Sequence, residues 1–381
     1  MSSESARRIA AKARRIVVKI GSAVLTDNGN VRPRVFSDIA RQVCALREEG
    51  REIVVVSSGA IAVGSAELGW DQPGRSIPEK QAAAAVGQIS LVDAYRRRFA
   101  RFDQQVAQVL LTRVGLEDRE RFLNARHTLH KLLELGVVPI VNENDTVATD
   151  EIRFGDNDNL SATVVNLVAA DLLVILTDVD GLYTEPPRKG QPTPELIELV
   201  EKITPEIERA AQGSSNAFGR GGMATKLEAA KAAIRCGALT VFCNGRKRDA
   251  LLRVARGDAF GTLFLTGSRL ASRKHWLAFT TRTRGELVID DGAARALRNR
   301  GKSLLAAGIT DVRGRFAIGD PVSCVDGRGQ ELARGLVAYD AGEVRRIVGI
   351  PAREILQVLG YSNGDEVIHR DDLVLVQESS E

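Results

Sequence analysis

The sequence predicts an α/β protein: an open, mostly parallel sheet sandwiched by helices, followed by a second, smaller β-rich module. Three observations carry this. Up to about residue 270, short β-branched runs alternate with longer helical periodicities. Several of those runs end directly in Gly, Ser, Asn or Asp, and beyond a polar, arginine-bearing stretch the helical period gives way to short strands separated by glycine turns. The 381 residues suit two domains at roughly 100–200 residues each. Hydrophobic residues at 44% and charged residues at 27% are the proportions of a globular chain, which excludes disordered, collagen-like and coiled-coil classes.

Residues 1–14 are rich in Arg, Ser and Ala without an apolar signal core, and are expected as a frayed N-terminal tail, with a transit peptide as the alternative. Strands are then predicted at 15–20, 52–56, 106–111, 137–141, 172–176 and 240–244. Between them, apolar residues recur at a helical period over 34–49, 79–101, 124–135, 159–169 and 225–236. A parallel sheet covered on both faces explains why a run such as Leu172-Leu173-Val174-Ile175-Leu176 is continuously apolar. The polar loops follow the strands' carboxyl ends, the edge where open α/β sheets receive ligands. This first domain is placed at 15–266, and a linker with Arg269, Arg273, Lys274 and Arg282 at 267–283. The β-rich module then covers 284–376, with strand candidates at 286–289, 321–325, 332–338 and 373–376 and turns at Asp326-Gly327 and Asn363-Gly364.

From Arg284 onward, 13 Lys or Arg face 16 Asp or Glu, which leaves 40 against 33 before it. The first part can receive a polyanionic ligand, whereas the second lacks the basic footprint of a nucleic-acid reader, so no RNA partner is expected. Cys44, Cys236, Cys243 and Cys324 form no C-x-x-C pair, which argues against a zinc site or a disulfide framework and fits a reducing cytoplasm. No apolar run approaches the ~20 residues of a membrane span. His127, His130, His275 and His369 stand apart from cysteines and paired acids, and His127 and His130 are expected on a helix surface. Neither a metal site nor a Ser-His-Asp triad is expected.

Five segments offer chemistry. In Lys19-Ile20-Gly21-Ser22 a strand-end lysine enters a glycine turn, where backbone N–H groups can approach an anion; a solvated lysine is the alternative. Ser57-Ser58-Gly59-Ala60 opens a helix, whose free N–H groups suit a phosphate or carboxylate unless it is a simple N-cap. Asn142-Glu143-Asn144-Asp145 and Phe154-Gly155-Asp156-Asn157-Asp158-Asn159 crowd acids and amides behind a buried strand, enough to hold a polar metabolite or a metal-bound phosphate. The run Gly219-Arg220-Gly221-Gly222-Met223-Ala224-Thr225-Lys226 is a glycine loop entering a helix. Its lysine follows the threonine, so it is not a Walker A motif, yet backbone donors beside a cation supply the same physics; a mobile surface loop is the alternative. Thr177-Asp178-Val179-Asp180-Gly181 leaves a buried strand and reads equally as turn chemistry or as a nucleotide contact.

In order and spacing these segments, with Ala85-Val86-Gly87-Gln88, Leu110-Leu111-Thr112-Arg113, Arg119-Glu120-Arg121-Phe122-Leu123-Asn124-Ala125-Arg126 and Gly181-Leu182-Tyr183, resemble the glutamate 5-kinase branch of the amino-acid kinase family over roughly residues 15–245. Gly285-Glu286 and Gly335-Leu336 through Arg345-Arg346-Ile347-Val348-Gly349 are similar to the PUA domain that many bacterial members append.

The resemblance implies ATP-dependent phosphorylation of the γ-carboxylate of L-glutamate to L-glutamyl 5-phosphate, the first step of proline biosynthesis, with ATP and Mg²⁺, in the cytoplasm. By the same resemblance Lys19 and Lys226 are catalytic and Asp158 orients them, while Gly21 and Ser22 line the transfer site. Ser58, Gly59, Asp145, Asn157 and Asp156 would hold glutamate; Thr177, Asp178, Gly221, Gly222, Met223, Ala224, Thr225 and Lys226 would hold ATP, with Lys19 at its phosphates. A homodimer or homotetramer, inhibition by proline and a glutamyl phosphate reductase as functional partner are further implications. A carboxylate acceptor is already ionised at neutral pH, so a site without histidine needs no general base. The family often carries Thr or Ser where Arg220 and Ala224 stand, and a hydroxyl residue at Ala23. Three other readings stay open: another acceptor of the same family (aspartate, acetylglutamate or a nucleoside monophosphate); an RNA-binding factor, since PUA domains also occur on RNA-modifying enzymes; or a PUA-like module that only organises the oligomer or a partner such as the reductase.

Overall fold

The structure, a computed structural model, describes residues 2–27, 29–72, 74–148, 157–187, 190–212, 222–266, 283–300 and 302–376. The chain divides into two units, Met1–Glu117 with Ala125–Arg269, and Asp118–Asn124 with Leu270–Glu381. The linker expected at 267–283 lies, apart from Thr283, outside the described residues.

In the first unit an eight-stranded sheet is built from β1 (Arg15–Ile20), β2 (Glu52–Ser57), β3 (Val106–Leu111), β4 (Val138–Glu143), β5 (Leu172–Thr177), β6 (Leu199–Val200), β7 (Leu239–Asn244) and β8 (Thr262–Phe264), in the order β3-β4-β2-β1-β5-β7-β8-β6. Neighbours from β3 across to β7 are parallel, while β8 runs antiparallel to β7. All six expected strands are present. The unexpected ones, β6 and β8, span two and three residues and owe their form to edge pairing rather than to an apolar pattern of their own.

Helices α1 (Ser3–Ala10), α2 (Pro33–Glu48), α3 (Ala60–Glu67), α4 (Ile77–Phe99), α5 (Asn157–Val168) and α6 (Met223–Arg235) join it. The start of α4 is a capping box: Glu79 N donates to Ser76 Oγ at 3.3 Å and Ser76 N to Glu79 Oε2 at 2.9 Å. Helices α3 and α4 cross through two glycines. A Cβ on Gly64 would sit 1.7 Å from the Ala83 carbonyl oxygen, and one on Gly87 2.1 Å from that of Ala60, so only glycine lets the backbones touch.

The N-terminal segment departs from the frayed tail expected for it. Residues 3–10 form α1, and Ala6, Ala10 and Ala13 are buried in the main core. Arg7 is 4% exposed, and its guanidinium donates to the carbonyls of Asp258, Phe260, Gly261 and Glu198 at 3.0, 3.1, 2.8 and 3.3 Å. Ala6 and Ala10 face the core while Glu4, Ser5 and Arg8 face solvent, so the segment is amphipathic at a helical period, which a reading from its Arg, Ser and Ala content overlooks. His130, expected on a helix surface, is half-buried with Nε2 3.3 Å from the Leu167 carbonyl.

The second unit holds a sheet of β9 (Gly285–Ile289), β10 (Ile309–Gly314), β11 (Pro321–Val325), β12 (Glu331–Leu336) and β13 (Leu373–Leu375), in the order β10-β9-β11-β12-β13. Its own core gathers Leu287, Ile289, Val322, Cys324, Val344 and Ile368. Asp326-Gly327 turns β11 into β12, with Asp326 N donating to Gln330 O at 3.0 Å. Asn363-Gly364 is not such a hairpin. It leads into Glu366–Ile368, which pairs with Leu304–Leu305, and the Tyr339 hydroxyl pins it by accepting from Asn363 N at 2.9 Å and donating to Gly364 O at 2.6 Å. Among the described residues no helix is long and apolar enough to cross a membrane.

Candidate active site

Strand β1 delivers the first functional side chain. Ile16, Val18 and Ile20 enter the main core, so the two-residue period turns Lys19 to the opposite face. There the first turn of α5 presents Asp158. Lys19 Nζ lies 2.6 Å from Asp158 Oδ1, and Lys226 Nζ, from α6, lies 3.3 Å from Oδ2. The Thr225 hydroxyl donates to the same Oδ2 at 2.8 Å. Lys19, Asp158 and Lys226 are 5%, 1% and 7% exposed, so one carboxylate serves two ammonium groups away from water.

Burial by itself would raise the Asp158 carboxyl; Lys19, then Lys226, overcome it and with the Thr225 hydroxyl hold it at about 2. Burial draws the Lys226 ammonium below the ordinary lysine range. Asp158 opposes that shift, Lys19 adds to it by like-charge repulsion, and Asp178 opposes it again. The three side chains together carry one surplus positive charge. Lys226 is thus a buried, oriented cation, not the lysine of a mobile surface loop.

A second cluster continues from the first, because Asn157 precedes Asp158. Asn157 Nδ2 lies 2.7 Å from Ser57 O, 3.0 Å from Ser58 Oγ and 2.9 Å from Asn142 Oδ1. Asn142 Nδ2 in turn donates to Gln88 Oε1 at 2.7 Å. The ends of β2 and β4, the start of α5 and the middle of α4 therefore meet at one place. Asn142 and Glu143, expected in a loop, are the last residues of β4: its ladder with β3 reaches Leu111 opposite Glu143 and carries the strand past its apolar run. Likewise Asn157 opens α5 and Met223 opens α6, both earlier than the periodicity predicts: the first two residues of α5 are polar, and those of α6 follow directly on a glycine run. Gly59 precedes α3 at φ 105°, a left-handed conformation that favours glycine and lets the chain turn sharply from Ser58 into the helix.

Asp145 is half-buried and lines a cavity of about 260 Å³ with Glu143, Asn144, Gln88 and Gln108. On the other side of β1, Gly21 N donates to Leu176 O at 3.0 Å, which sets Gly21 and Ser22 beside the end of β5. At that end the Thr177 hydroxyl donates to Asp178 Oδ1 at 3.2 Å. Gly222 caps α6, Met223 is buried, and Ala224 and Thr225 border a further cavity of about 300 Å³ with Asn159 and Lys231.

The structure thus brings Lys19, Asp158, Thr225 and Lys226 into one cluster, and Ser58 and Asn157 into its neighbour, with Asp145 in the adjoining cavity. Asp156, Arg220 and Gly221 lie outside the described residues. Sequence reasoning named Asn142 only within its cluster of acids and amides and Gln88 only within a segment that resembles the family, and gave neither an individual role. For Gln88 the available signal was a polar residue within the alanine-rich face of a long helix. Among the described residues no group of three His, Cys, Asp or Glu is placed to hold a metal ion.

Residues 14–244 match the amino acid kinase family and residues 285–359 the PUA domain. The chain is 53% identical over 371 residues to a glutamate 5-kinase of Geobacter sulfurreducens, covering 97% of this chain and 99% of that one. It is 50% identical over 372 residues to a glutamate 5-kinase of Paraburkholderia phymatum, covering 97% and 100%. A third relative, a glutamate 5-kinase of Azoarcus sp., is 53% identical over 365 residues, covering 95% and 98%.

Proposed function

Because the chain belongs to the amino acid kinase family, we propose that it transfers the γ-phosphoryl group of ATP to the γ-carboxylate of L-glutamate, giving L-glutamyl 5-phosphate as the first step of proline biosynthesis. The observation that carries this reading is the buried Lys19–Asp158–Lys226 cluster with its surplus positive charge. An ionised carboxylate must approach an anionic phosphoryl group, and fixed cations in a water-excluded site offset that repulsion.

The acceptor carboxylate, with an ordinary pKa of about 4.3, attacks phosphorus without losing a proton. An O–P bond forms, the bond to the ADP oxygen breaks, and no general base takes part. Lys19 and Lys226 bind the oxygens of the group in transit. Asp158 keeps the two ammonium groups charged and separated, and acts as a positioning residue. Ser58, Gly59, Asn157, Asp145 and Asp156 hold glutamate, the Asp145 carboxylate serving its ammonium. Gly21, Ser22, Thr177, Asp178 and the segment Gly221 to Lys226 hold ATP.

Asp158 has both oxygens engaged by cations and a hydroxyl, and among the described residues no three-residue acid or histidine group stands by, which fits Mg²⁺ carried on the nucleotide's phosphates. When bound there it neutralises phosphate charge. Assembly as a dimer or tetramer, inhibition by proline and delivery to a reductase extend the same proposal.

The test is hydroxylamine trapping with Mg·ATP and L-glutamate, run beside Lys226→Ala and beside aspartate, acetylglutamate and UMP with ADP release measured. Hydroxamate with glutamate alone, absent in the variant, is the expected result. Turnover with another acceptor only would discard the substrate and keep the family.

A further inference from the structure

We propose that the Gln88 amide is an additional substrate contact, a fixed donor to the α-carboxylate of the acceptor amino acid; the inference rests on the functional reading above. It follows from the direction of the amide relay. The Ser57 carbonyl can only accept, so the Asn157 atom 2.7 Å from it is the NH₂ nitrogen. That nitrogen also faces Asn142 Oδ1 at 2.9 Å, which turns the Asn142 NH₂ toward Gln88 Oε1 at 2.7 Å. Every orientation is thereby set by one backbone carbonyl, and the Gln88 NH₂ is left on the side away from Asn142.

That nitrogen is buried and has no hydrogen-bond partner among the described residues. A buried donor without a partner is a standing cost in free energy, which a ligand oxygen relieves. Gln88 lines the cavity that also holds Glu143 and Asp145. The chemistry fits one end of an amino acid: carboxylates for an ammonium, and beside them a neutral donor for a carboxylate. A cation in that place would pair with Glu143 or Asp145 instead of the substrate. The relay also assigns the end, since Asn157 adjoins Asp158 and the transfer cluster while Gln88 is the terminal member. Gln88 therefore meets the α-carboxylate and not the reacting one.

Two variants of the full chain, Gln88→Glu and Gln88→Met, are compared with wild type on L-glutamate and on its α-amide, isoglutamine, by ADP release and hydroxamate. Gln88→Glu keeps the acceptor for Asn142 but presents an acid to the substrate; Gln88→Met removes the donor. Both are expected to lower the preference for glutamate over the α-amide by about tenfold or more, with the KM for ATP within about threefold of wild type. In Gln88→Glu an α-amide N–H can donate to the new carboxylate, so its kcat/KM should rise relative to glutamate. A preference within twofold of wild type in either folded variant overturns the inference, even if overall activity falls, because packing alone would affect both substrates alike. Wild-type protein that leaves glutamate unphosphorylated would overturn the functional reading and this inference with it.

Discussion

Lys19 Nζ and Asp158 Oδ1 stand 2.6 Å apart at the end of the central strand, and the other oxygen of the same carboxylate faces Lys226 Nζ at 3.3 Å. Neutralising Asp158 leaves two buried ammonium groups facing each other without a counter-charge. Asp158→Asn is expected to lower kcat by about 10²–10³-fold, the scale of losing a preorganised charge, while both KM values move far less. Steady-state kinetics with each substrate varied checks it.

In the proposed mechanism Lys226 acts as an ammonium, and burial has drawn that ammonium below the ordinary lysine range. The sign follows: activity is full below that lowered pKa and is lost as pH rises through it. Asp158 is the main group opposing the shift, so a residually active Asp158→Asn enzyme should lose activity at lower pH than wild type. Lys226→Arg should abolish the limb, since a guanidinium stays charged. A kcat-against-pH profile on the three proteins measures this.

Asp145 shares its cavity with Glu143 and Gln88. Asp145→Ala is expected to raise the glutamate KM by about tenfold or more and to leave the KM for ATP near its wild-type value. An unmoved glutamate KM would take Asp145 out of the site.

The Gly64–Gly87 crossing leaves no room for a methyl group, since each added Cβ would lie within 2.3 Å of backbone across the contact. Gly87→Ala should cost at least about 2 kcal/mol of stability. Because α3 begins directly after Ser58 and Gly59, surviving activity should show a raised glutamate KM. Thermal denaturation and kinetics on the same preparation test both parts.

Arg7→Ala removes the donor to four backbone carbonyls, and the contacts to Phe260 and Gly261 are lost in a buried place. A loss of about 3 kcal/mol is expected, read as a lower denaturant midpoint. Arg7→Lys should recover only part of it, because an ammonium has three donors and no planar fork.

The strands of the first unit were legible because a parallel sheet buried on both faces demands apolar, β-branched residues in runs: β1 begins and ends where expected, and β5 begins with its run. Lys19, Asp158 and Lys226 were legible as polar residues at strand and helix ends, by their likeness to a known family. Short strands such as β6, at the sheet's edge, and β8, next to it, and the partial burial of His130 were not, since each depends on what packs against it. The sequence by itself determined the element types, their order and the kinds of side chain at the sheet's carboxyl edge, because these follow from local period and composition. Only the tertiary structure decided that residues 19, 158 and 226 share one carboxylate and that Ser57, Asn157, Asn142 and Gln88 form a directed relay. Hydrogen-bond direction and burial are properties of neighbours brought together from distant parts of the chain, and no local pattern encodes them.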